Sequence, residues 1–395
     1  MEYQFSNRIS ALQPSAIREI LKMSSDPAVI PFSAGNPAPE AFPTEMIAEI
    51  SKRILDENPI GALQYSLTEG YPALREVMKA FTLKSYGIGK AFDELIMVSG
   101  ATQGMELTCK VLCNEGDTII CEDPSFVGSL NAFRSYNTHL VGIPLEEDGM
   151  DMTKLEMALK AHPNTKFIYV IPNFQNPTGK CMSFKKRQKL YELACTYNVM
   201  ILEDNPYGDL RFIGEEIPAI KTLDEEGRVI YVGSFSKILS PGMRVGYLLA
   251  PSTLVNKMVV AKQCADVHSN ILAQMICYEF MTQCDVEAHL SKLKAIYKQR
   301  CELMLKEMDR HFSKQVTYTR PEGGLFIWAT LPEGVDMLDF CTRAVKEYQV
   351  AVVPGNAFSV IEGQKSRDFR MNFSTPTEIQ IIKGVEALGK MTQLL

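Results

Sequence analysis

Seven short and nearly continuous apolar runs constrain the fold of this chain more than any other feature of its sequence. The runs occupy residues 95–100, 118–123, 139–145, 166–172, 199–204, 228–235 and 245–251. Strands buried on both faces of a sheet have this pattern, because neither face alternates with a solvated one. Since segments with helical spacing lie between several of the runs, the sequence predicts an α/β fold with helices covering a mainly parallel sheet.

The spacing of the runs also predicts how the strands are arranged. Only nine residues separate the last two runs, which are too few for a crossover helix, so we expect one antiparallel strand in a seven-stranded sheet. After about residue 285 a long helical pattern precedes short alternating strands, which predicts a smaller α+β domain. We therefore expect a segment at the domain junction over 1–45, a large domain over 46–285 and a small domain over 286–395.

Charge and cysteine content exclude several classes of function. The 395 residues include 41 basic and 47 acidic side chains, a net charge of −6, which argues against nucleic acid or a membrane as a partner. No apolar run reaches the roughly 20 residues of a membrane span. The polar N-terminus lacks the apolar stretch of a signal peptide, so we expect a cytoplasmic protein. The ten cysteines form no C-x-x-C pair and the five histidines are isolated, which predicts structural thiols and no metal site.

Polar loops rich in Gly, Pro, Asn, Asp or Ser follow five of the predicted strands. Ligands of open parallel sheets bind beyond the carboxyl ends of the strands, so five such loops predict one large ligand held from many sides. Each residue also has a plain structural explanation. Asn176 can simply form a turn, Asp204 can cap one and Phe126 can be a core ring. Lys237 and Arg244 can be ordinary solvated cations. Only the complete set points to one chemistry.

A lysine among hydroxyls at a strand end, with an arginine seven residues later, suits an aldehyde cofactor that carries a phosphate. The Lys237 amine can form a Schiff base with the aldehyde. A guanidinium, two hydroxyls and the free amides of a helix start can bind the phosphate: Arg244, Ser234, Ser236, Ala101 and Thr102. Asp204 can hold a proton on a pyridine nitrogen. Asn176 and Tyr207 can hydrogen-bond a ring oxygen, and Phe126 can stack on the ring.

The segment SFSKILSPGMRVGY (234–247) resembles the cofactor-lysine segment of fold-type I pyridoxal-phosphate enzymes, the class I/II aminotransferases. NPTG, EDNPY and FRMNFS also match that family and follow its order along the chain. SAIREILKM, SAGNPAPEAFP, ALQYSLTEGYPALR, FQNPTG and CADVHSNILAQM are similar to segments of the α-aminoadipate/kynurenine aminotransferase subgroup.

The resemblance implies an activity and a cofactor. With pyridoxal 5′-phosphate, the enzyme would move the α-amino group of an amino acid to a 2-oxo acid, with 2-oxoglutarate expected, by a ping-pong mechanism. It further implies broad specificity, or a preference for 2-aminoadipate, aromatic or branched-chain amino acids.

The matching positions imply roles for individual residues. Lys237 would be the Schiff-base lysine and the proton shuttle, and Asp204 would pair with the pyridinium. Tyr207 would contact the ring oxygen and complete the catalytic set. The other cofactor contacts would be Tyr65, Ala101, Thr102, Phe126, Asn176, Ser234, Ser236 and Arg244.

The resemblance also implies substrate contacts and a partner. Arg370 matches the arginine that binds the substrate α-carboxylate, with Asn176 beside it, and Gly35 lies where a loop passes the substrate. Tyr65 matches a tyrosine that reaches the phosphate from the neighbouring subunit, which implies a homodimer. Arg18 either binds a distal carboxylate of the substrate or is a solvated helix arginine.

Two departures from the family and two alternatives remain. Ala101 stands where some relatives have serine and Phe126 where many have tyrosine, so a hydroxyl is lost at each.

C–S lyases and decarboxylases use the same cofactor-binding set and stay open as alternatives. Aminotransferase-like folds also serve as sensor domains of transcription regulators, but we expect no basic DNA-binding module before the Gly35 loop in a chain of charge −6.

Overall fold

The computed structural model describes residues 3–10, 12 and 26–395 of the chain. The strands are β1 (Asp93–Val98), β2 (Thr118–Asp123), β3 (His139–Glu146), β4 (Gly149–Met150), β5 (Thr165–Val170), β6 (Met200–Asp204), β7 (Val229–Ser234), β8 (Gly246–Pro251), β9 (Thr317–Tyr318), β10 (Phe326–Thr330), β11 (Val353–Pro354) and β12 (Asp368–Asn372).

The helices fall between and after these strands. They are α1 (Asn7–Ser10), α2 (Thr44–Glu57), α3 (Pro59–Leu63), α4 (Pro72–Tyr86), α5 (Ala101–Leu112), α6 (Val127–Arg134), α7 (Met152–Ala161), α8 (Phe184–Tyr197), α9 (Ser252–Gln263), α10 (Ile271–Gln283), α11 (Val286–His311), α12 (Met337–Tyr348) and α13 (Glu378–Thr392). Short 3₁₀ helices occupy Pro39–Ala41, Gly208–Leu210, Ile220–Leu223, Pro241–Met243 and Gly355–Phe358. Among the described residues, no helix is long and apolar enough to cross a membrane.

The seven predicted strands form one mixed sheet, in the order β1-β8-β7-β6-β5-β2-β3, and β4 extends it at the β3 edge. Strand β8 runs antiparallel to both of its neighbours, which confirms the single reversed strand among the seven. The remaining pairs between β7 and β3 are parallel. Strand β4 pairs antiparallel with the end of β3. The sequence did not predict β4 because two residues are too few to show a periodicity.

Alternate residues of each buried strand pack against helices on opposite faces of the sheet. In β2, Ile119 and Cys121 belong to the same core cluster as residues of α5 and α6. Ile120 points the other way, into a cluster with residues of α7 and α8. Because both faces are covered, every position of such a strand favours an apolar side chain, which explains the uninterrupted runs.

A second sheet, in the order β11-β12-β10-β9, is antiparallel throughout. The long helix α11 packs against α13, and residues of both share a core cluster with β10 and β12. This arrangement matches the smaller α+β part expected from the sequence. The boundaries at about 45 and 285 stay predictions.

The strand directions bring the polar loops to one edge of the large sheet. Strands β1 and β7 both run antiparallel to β8, so β1 is parallel to β7 and through it to β6, β5 and β2. The loops that follow these five strands therefore leave the sheet on the same side. A candidate ligand site is expected there.

A buried ion-pair cluster at the opposite edge offers a test of what stabilises the sheet. The Lys221 side chain is 1% exposed, and its Nζ donates to Asp93 Oδ1 at 2.7 Å, Asp224 Oδ2 at 2.8 Å and the Val229 carbonyl at 2.8 Å. Asp93 begins β1 and Val229 begins β7, so this ammonium ties the amino ends of two strands together.

We predict that Lys221→Met lowers the free energy of unfolding by about 3–5 kcal/mol, because it leaves buried carboxylates without their cation. Urea unfolding followed by circular dichroism measures the change. Lys160→Met is the control, since Lys160 pairs with Glu156 on the solvated surface of α7, and it should leave the unfolding midpoint almost unchanged. Equal midpoints for Lys221→Met and wild type would show that the cluster contributes nothing.

Candidate active site

A cavity of about 490 Å³ lies at the edge where the five loops meet, a size typical of small-molecule sites. Twelve of the residues singled out from the sequence line it together: Gly35, Ala101, Thr102, Phe126, Asn176, Asp204, Tyr207, Ser234, Ser236, Lys237, Arg244 and Arg370. These residues come from all five loops, from the segment before α2 and from β12 of the second sheet. The fold thus assembles one site from segments more than 300 positions apart in sequence.

Lys237 follows β7 and extends into the cavity. Its Nζ donates to the carbonyl oxygen of Gly35 at 2.8 Å. Burial lowers the pKa of the Lys237 ammonium to about 8, and the positive charges of Arg370 and Arg244 act in the same direction. At pH 7 roughly a tenth of the Lys237 side chains are therefore the neutral amine, the nucleophilic and basic form, compared with a far smaller fraction for an ordinary lysine.

Asp204 ends β6 with one carboxylate oxygen satisfied and the other not. Oδ2 accepts a hydrogen bond from the Tyr169 hydroxyl at 2.9 Å, whereas Oδ1 is buried and has no partner among the described residues. Burial raises the pKa of Asp204 to about 7, and the Tyr169 hydrogen bond opposes that rise. A buried acceptor without a donor is costly, so Oδ1 indicates a place for a ligand that brings a proton.

The start of α5 and the Arg244 guanidinium lie next to each other in the lining of the cavity. The first amides of a helix have no partner within the helix and attract anions. Gly100, just before α5, has φ +81°, and a Cβ there would overlap the guanidinium of Arg244. Arg244 itself has φ +53°, and its Nη2 donates to the Ser99 carbonyl at 3.4 Å. A non-glycine residue held in this costly conformation is a frequent feature of functional sites.

Arg370 is buried between two aromatic rings without a carboxylate partner among the described residues. Its guanidinium carbon lies 4.2 Å from the centroid of Phe326 and 5.1 Å from that of Phe358. Nη1 donates to Asn176 Oδ1 at 2.9 Å, and Nη2 donates to two backbone carbonyls. Nε is buried and has no acceptor within the described chain. Burial lowers the pKa of Arg370 to about 10, which still leaves it charged and suited to bind an anion.

Three further predicted residues line the same cavity. Asn176 Nδ2 lies 3.5 Å from the Tyr207 hydroxyl and donates to it. Burial raises the pKa of Tyr207, so its hydroxyl keeps its proton. The Phe126 ring sits over Gly128, where a Cβ would come within 2.6 Å of the ring. A glycine at this position therefore leaves room for the ring.

One described residue of the predicted set, Tyr65, does not line this cavity in the single chain. Tyr65 is 80% exposed and makes an edge contact with His268, with ring centroids 5.9 Å apart. Arg18 lies outside the described residues, so its two interpretations stay as they were.

The structure also adds residues that the sequence reading missed. The Ser33 and Ala34 carbonyls accept from Arg370, and Phe326 and Phe358 enclose it. Tyr169 holds Asp204 and accepts a hydrogen bond from Ser129 at 2.8 Å. The two rings lie in GGLFIW and VPGNAF, within the region after residue 285 where the sequence predicts only short strands.

The residues present fit a phosphate-bearing aromatic aldehyde together with an anionic substrate. Asp204 Oδ1 lacks a donor and Arg370 Nε lacks an acceptor within the described chain. In the same cavity Lys237 offers an amine whose pKa is lowered to about 8, and a helix start with Arg244 offers an anion site.

Comparison with known proteins agrees with this chemistry. The family model for aminotransferase class I and II matches residues 27–388. The chain is 40% identical over 393 residues to the aromatic-amino-acid aminotransferase 1 of Thermococcus litoralis, covering 98% of this chain and 94% of that one. It is 37% identical to the 2-aminoadipate transaminase of Thermus thermophilus, covering 98% and 96%. The crystal structure of Pyrococcus horikoshii kynurenine aminotransferase in complex with PMP superposes with a TM-score of 0.95 at 36% identity, covering 99% and 97%.

Because the carboxyl of Asp204 is buried and unsatisfied, we predict that the free energy of unfolding of the cofactor-free protein depends on pH. Its pKa is about 7 when folded and near 3.9 when unfolded, so its contribution to stability is complete below about pH 4 and is lost as the pH rises through 7. Asp204→Asn stays neutral throughout. We expect its free energy of unfolding to equal that of wild type near pH 4 and to exceed it by on the order of 2–4 kcal/mol at pH 8. A difference that stays constant between these pH values in urea titrations would contradict the assignment.

Proposed function

The chain belongs to the class I and II aminotransferases and is a pyridoxal-phosphate-dependent aminotransferase, and we propose that the 490 Å³ cavity is its active site. The family and cofactor expected from the motifs are thereby confirmed. The observation that carries the assignment of the site is the convergence of Lys237, Asp204 and Arg370 on one cavity.

Each part of the cofactor has a group in the cavity that suits it. When bound, pyridoxal phosphate supplies an aldehyde for the amino group and a ring that withdraws electrons from the substrate α-carbon. The start of α5, Ser234, Ser236 and Arg244 would hold the phosphate. Asp204 Oδ1 would accept the proton of the ring nitrogen, since Tyr169 already donates to Oδ2. Phe126 would contact the ring, and Asn176 and Tyr207 would hydrogen-bond the ring oxygen.

Lys237 carries the proton during the reaction. The neutral amine takes the proton of the substrate α-carbon at Nζ and later releases it, which requires a pKa near the working pH. The lowered pKa of about 8 supports this role. Gly35, whose carbonyl accepts from Nζ at 2.8 Å, holds the amine on the substrate side of the cavity.

Arg370 binds the α-carboxylate that every amino acid and 2-oxo acid substrate shares. Its neutral acceptors, Asn176 and the carbonyls of Ser33 and Ala34, fix the orientation of the guanidinium without neutralising it. A carboxylate therefore meets a full positive charge in a desolvated setting, where a charge-assisted hydrogen bond is strong.

The amino donors we propose are aromatic amino acids, 2-aminoadipate and branched-chain amino acids, with 2-oxoglutarate as the acceptor in a ping-pong cycle. The names of the relatives support the first two classes. The apolar walls contributed by Met105, Val353 and Phe326 support large uncharged side chains. A role of Arg18 toward a distal carboxylate stays a prediction.

We further propose that two copies of the chain form a homodimer in which Tyr65 reaches the phosphate of the partner's site. Tyr65 lies in an exposed apolar patch with Ile60, Leu63 and Leu67, whose side chains are 54–80% exposed. A groove lined by Tyr65 and residues of α10 borders the patch. Contiguous apolar surface of this kind marks an interaction face, and a second copy would complete the cofactor site.

The activity is tested with glutamate and a panel of 2-oxo acids. We expect new amino acids with aromatic, aminoadipate or branched side chains, and 2-oxoglutarate in equal amount, quantified by chromatography. Release of ammonia or CO₂ without a new amino acid would instead indicate a lyase or a decarboxylase.

Lys237→Ala tests the proposed site within the same assay. Loss of the amine should remove the visible absorbance of the holoenzyme and reduce turnover by at least about 10³-fold. Lys160→Met removes a solvated lysine and should keep both. A Lys237→Ala protein with wild-type absorbance and turnover would place the chemistry elsewhere.

Mixed dimers test the donation of Tyr65. Lys237→Ala and Tyr65→Ala proteins should each have little activity when pure. After joint unfolding and refolding, mixed dimers contain one site with both residues, so about a quarter of wild-type activity should return. No recovery from mixtures that chromatography shows to contain mixed dimers would mean that Tyr65 acts within its own subunit, and wild-type activity of the pure Tyr65→Ala protein would mean that Tyr65 has no role.

A further inference from the structure

A buried polar cluster lies behind the start of α5, outside the lining of the active-site cavity. We call it the Lys262 cluster; it consists of Lys262, Asp266, Ser269, Ser99 and Gln103. The Lys262 side chain is fully buried at the end of α9. Its Nζ donates to Gln103 Oε1 and both Asp266 oxygens at 2.8 Å, and to Ser269 Oγ at 3.0 Å.

One side of the cluster holds the loop that precedes α5. Ser99 Oγ donates to Asp266 Oδ2 at 2.7 Å, and Ser99 N donates to Gln103 Oε1 at 2.7 Å. Gln103 Nε2 donates to the same Asp266 oxygen at 2.8 Å. The backbone carbonyl of Ser99 accepts a hydrogen bond from Arg244 Nη2. The loop and the guanidinium proposed to bind the phosphate are therefore both connected to one buried ammonium.

The other side of the cluster holds the segment that carries Tyr65. The Ser269 carbonyl accepts from Gln274 Nε2 at 2.8 Å, and Gln274 Oε1 accepts from the Tyr71 amide at 2.8 Å. His268, next to Ser269, makes the edge contact with the Tyr65 ring. The segment that carries Tyr65 is thus linked to the Lys262 cluster, as is the loop before α5.

The residue between the two anchored positions is conformationally strained. Val267 has φ +62°, a conformation that β-branched residues rarely adopt. It persists because the side chains of Asp266 and Ser269 on either side are bound to Lys262. Such strain is maintained only where the surroundings over-determine the backbone.

We propose that Lys262 is a positioning residue that fixes the two phosphate-binding elements of this fold together: the loop before α5 in its own site and the Tyr65 segment presented to the partner's. A buried ion pair contributes little net stability compared with apolar packing, whereas a satisfied polar network specifies one arrangement of the groups around it. Preorganised amides bind an anion tightly because no reorganisation accompanies binding.

This role rests on the proposed phosphate contacts and predicts a selective defect. Lys262→Met in the full-length chain should bind pyridoxal phosphate at least about tenfold more weakly than wild type, the cost of losing charge-assisted hydrogen bonds. Its affinity for pyridoxal, which lacks the phosphate, should stay unchanged. Fluorescence titration of the chain stripped of cofactor measures both dissociation constants.

Lys221→Met is the matched control, because it removes an equally buried, ion-paired lysine at the far edge of the sheet. It should lower the unfolding midpoint and leave the ratio of the two affinities at the wild-type value. Ser99→Ala removes only the hydroxyl that joins the loop to Asp266, so it tests the same selective loss if Lys262→Met does not fold.

The outcomes separate the two levels of the proposal. Wild-type protein that fails to bind pyridoxal phosphate would overturn the proposed site itself. If wild type binds pyridoxal phosphate, the proposed site is retained. If the variants then lose affinity for pyridoxal phosphate and for pyridoxal equally, or lose neither, Lys262 has no positioning role.

Discussion

The desolvation of three charged side chains that do not pair with one another is the constraint on which the proposed active site depends. Lys237, Asp204 and Arg370 line the same cavity, and burial is the largest cause of the pKa shift of each. Mutual ion pairs would have relieved that cost but would have cancelled the charges that a cofactor and a carboxylate substrate require. The surrounding structure instead supplies neutral partners, a carbonyl for Lys237 and a tyrosine hydroxyl for Asp204.

Holding unpaired charges in this way requires rigid supports from several parts of the chain. The parallel strands deliver the loops to one edge, and β12 delivers Arg370 from a different sheet. The register of β10 and β12, in which Trp328 lies opposite Arg370 and Phe326 opposite Asn372, brings the Phe326 ring against the guanidinium. The Lys262 cluster adds a support for the phosphate end. Each support is remote in sequence from the group that it holds, and so the site forms only when both sheets are in place.

Most of the large sheet could be predicted because its information is local. An apolar run indicates a strand buried on both faces, and the short spacing before β8 indicates that this strand runs antiparallel to its neighbours. The site residues that follow strand ends could be predicted from the sequence for the same reason, since the topology places the carboxyl ends of the parallel strands together. Phe326, Phe358 and Tyr169 were missed because nothing near them in sequence distinguishes a ring that encloses a cation, or a hydroxyl that holds a carboxylate, from an ordinary core residue.

The sequence by itself determined the α/β class, the reversed strand and the family, and it supplied the set of residues that we propose to bind a phosphorylated aldehyde and a carboxylate. Those properties follow from side-chain chemistry and from periodicities only a few residues long. Only the tertiary structure decided which atoms stay unsatisfied, how far burial shifts the pKa of Lys237 and Asp204, and that Tyr65 lies outside the cavity of its own chain. These depend on distances between segments separated by tens to hundreds of residues, because desolvation and hydrogen bonding are set by whatever the folded chain brings within a few ångströms.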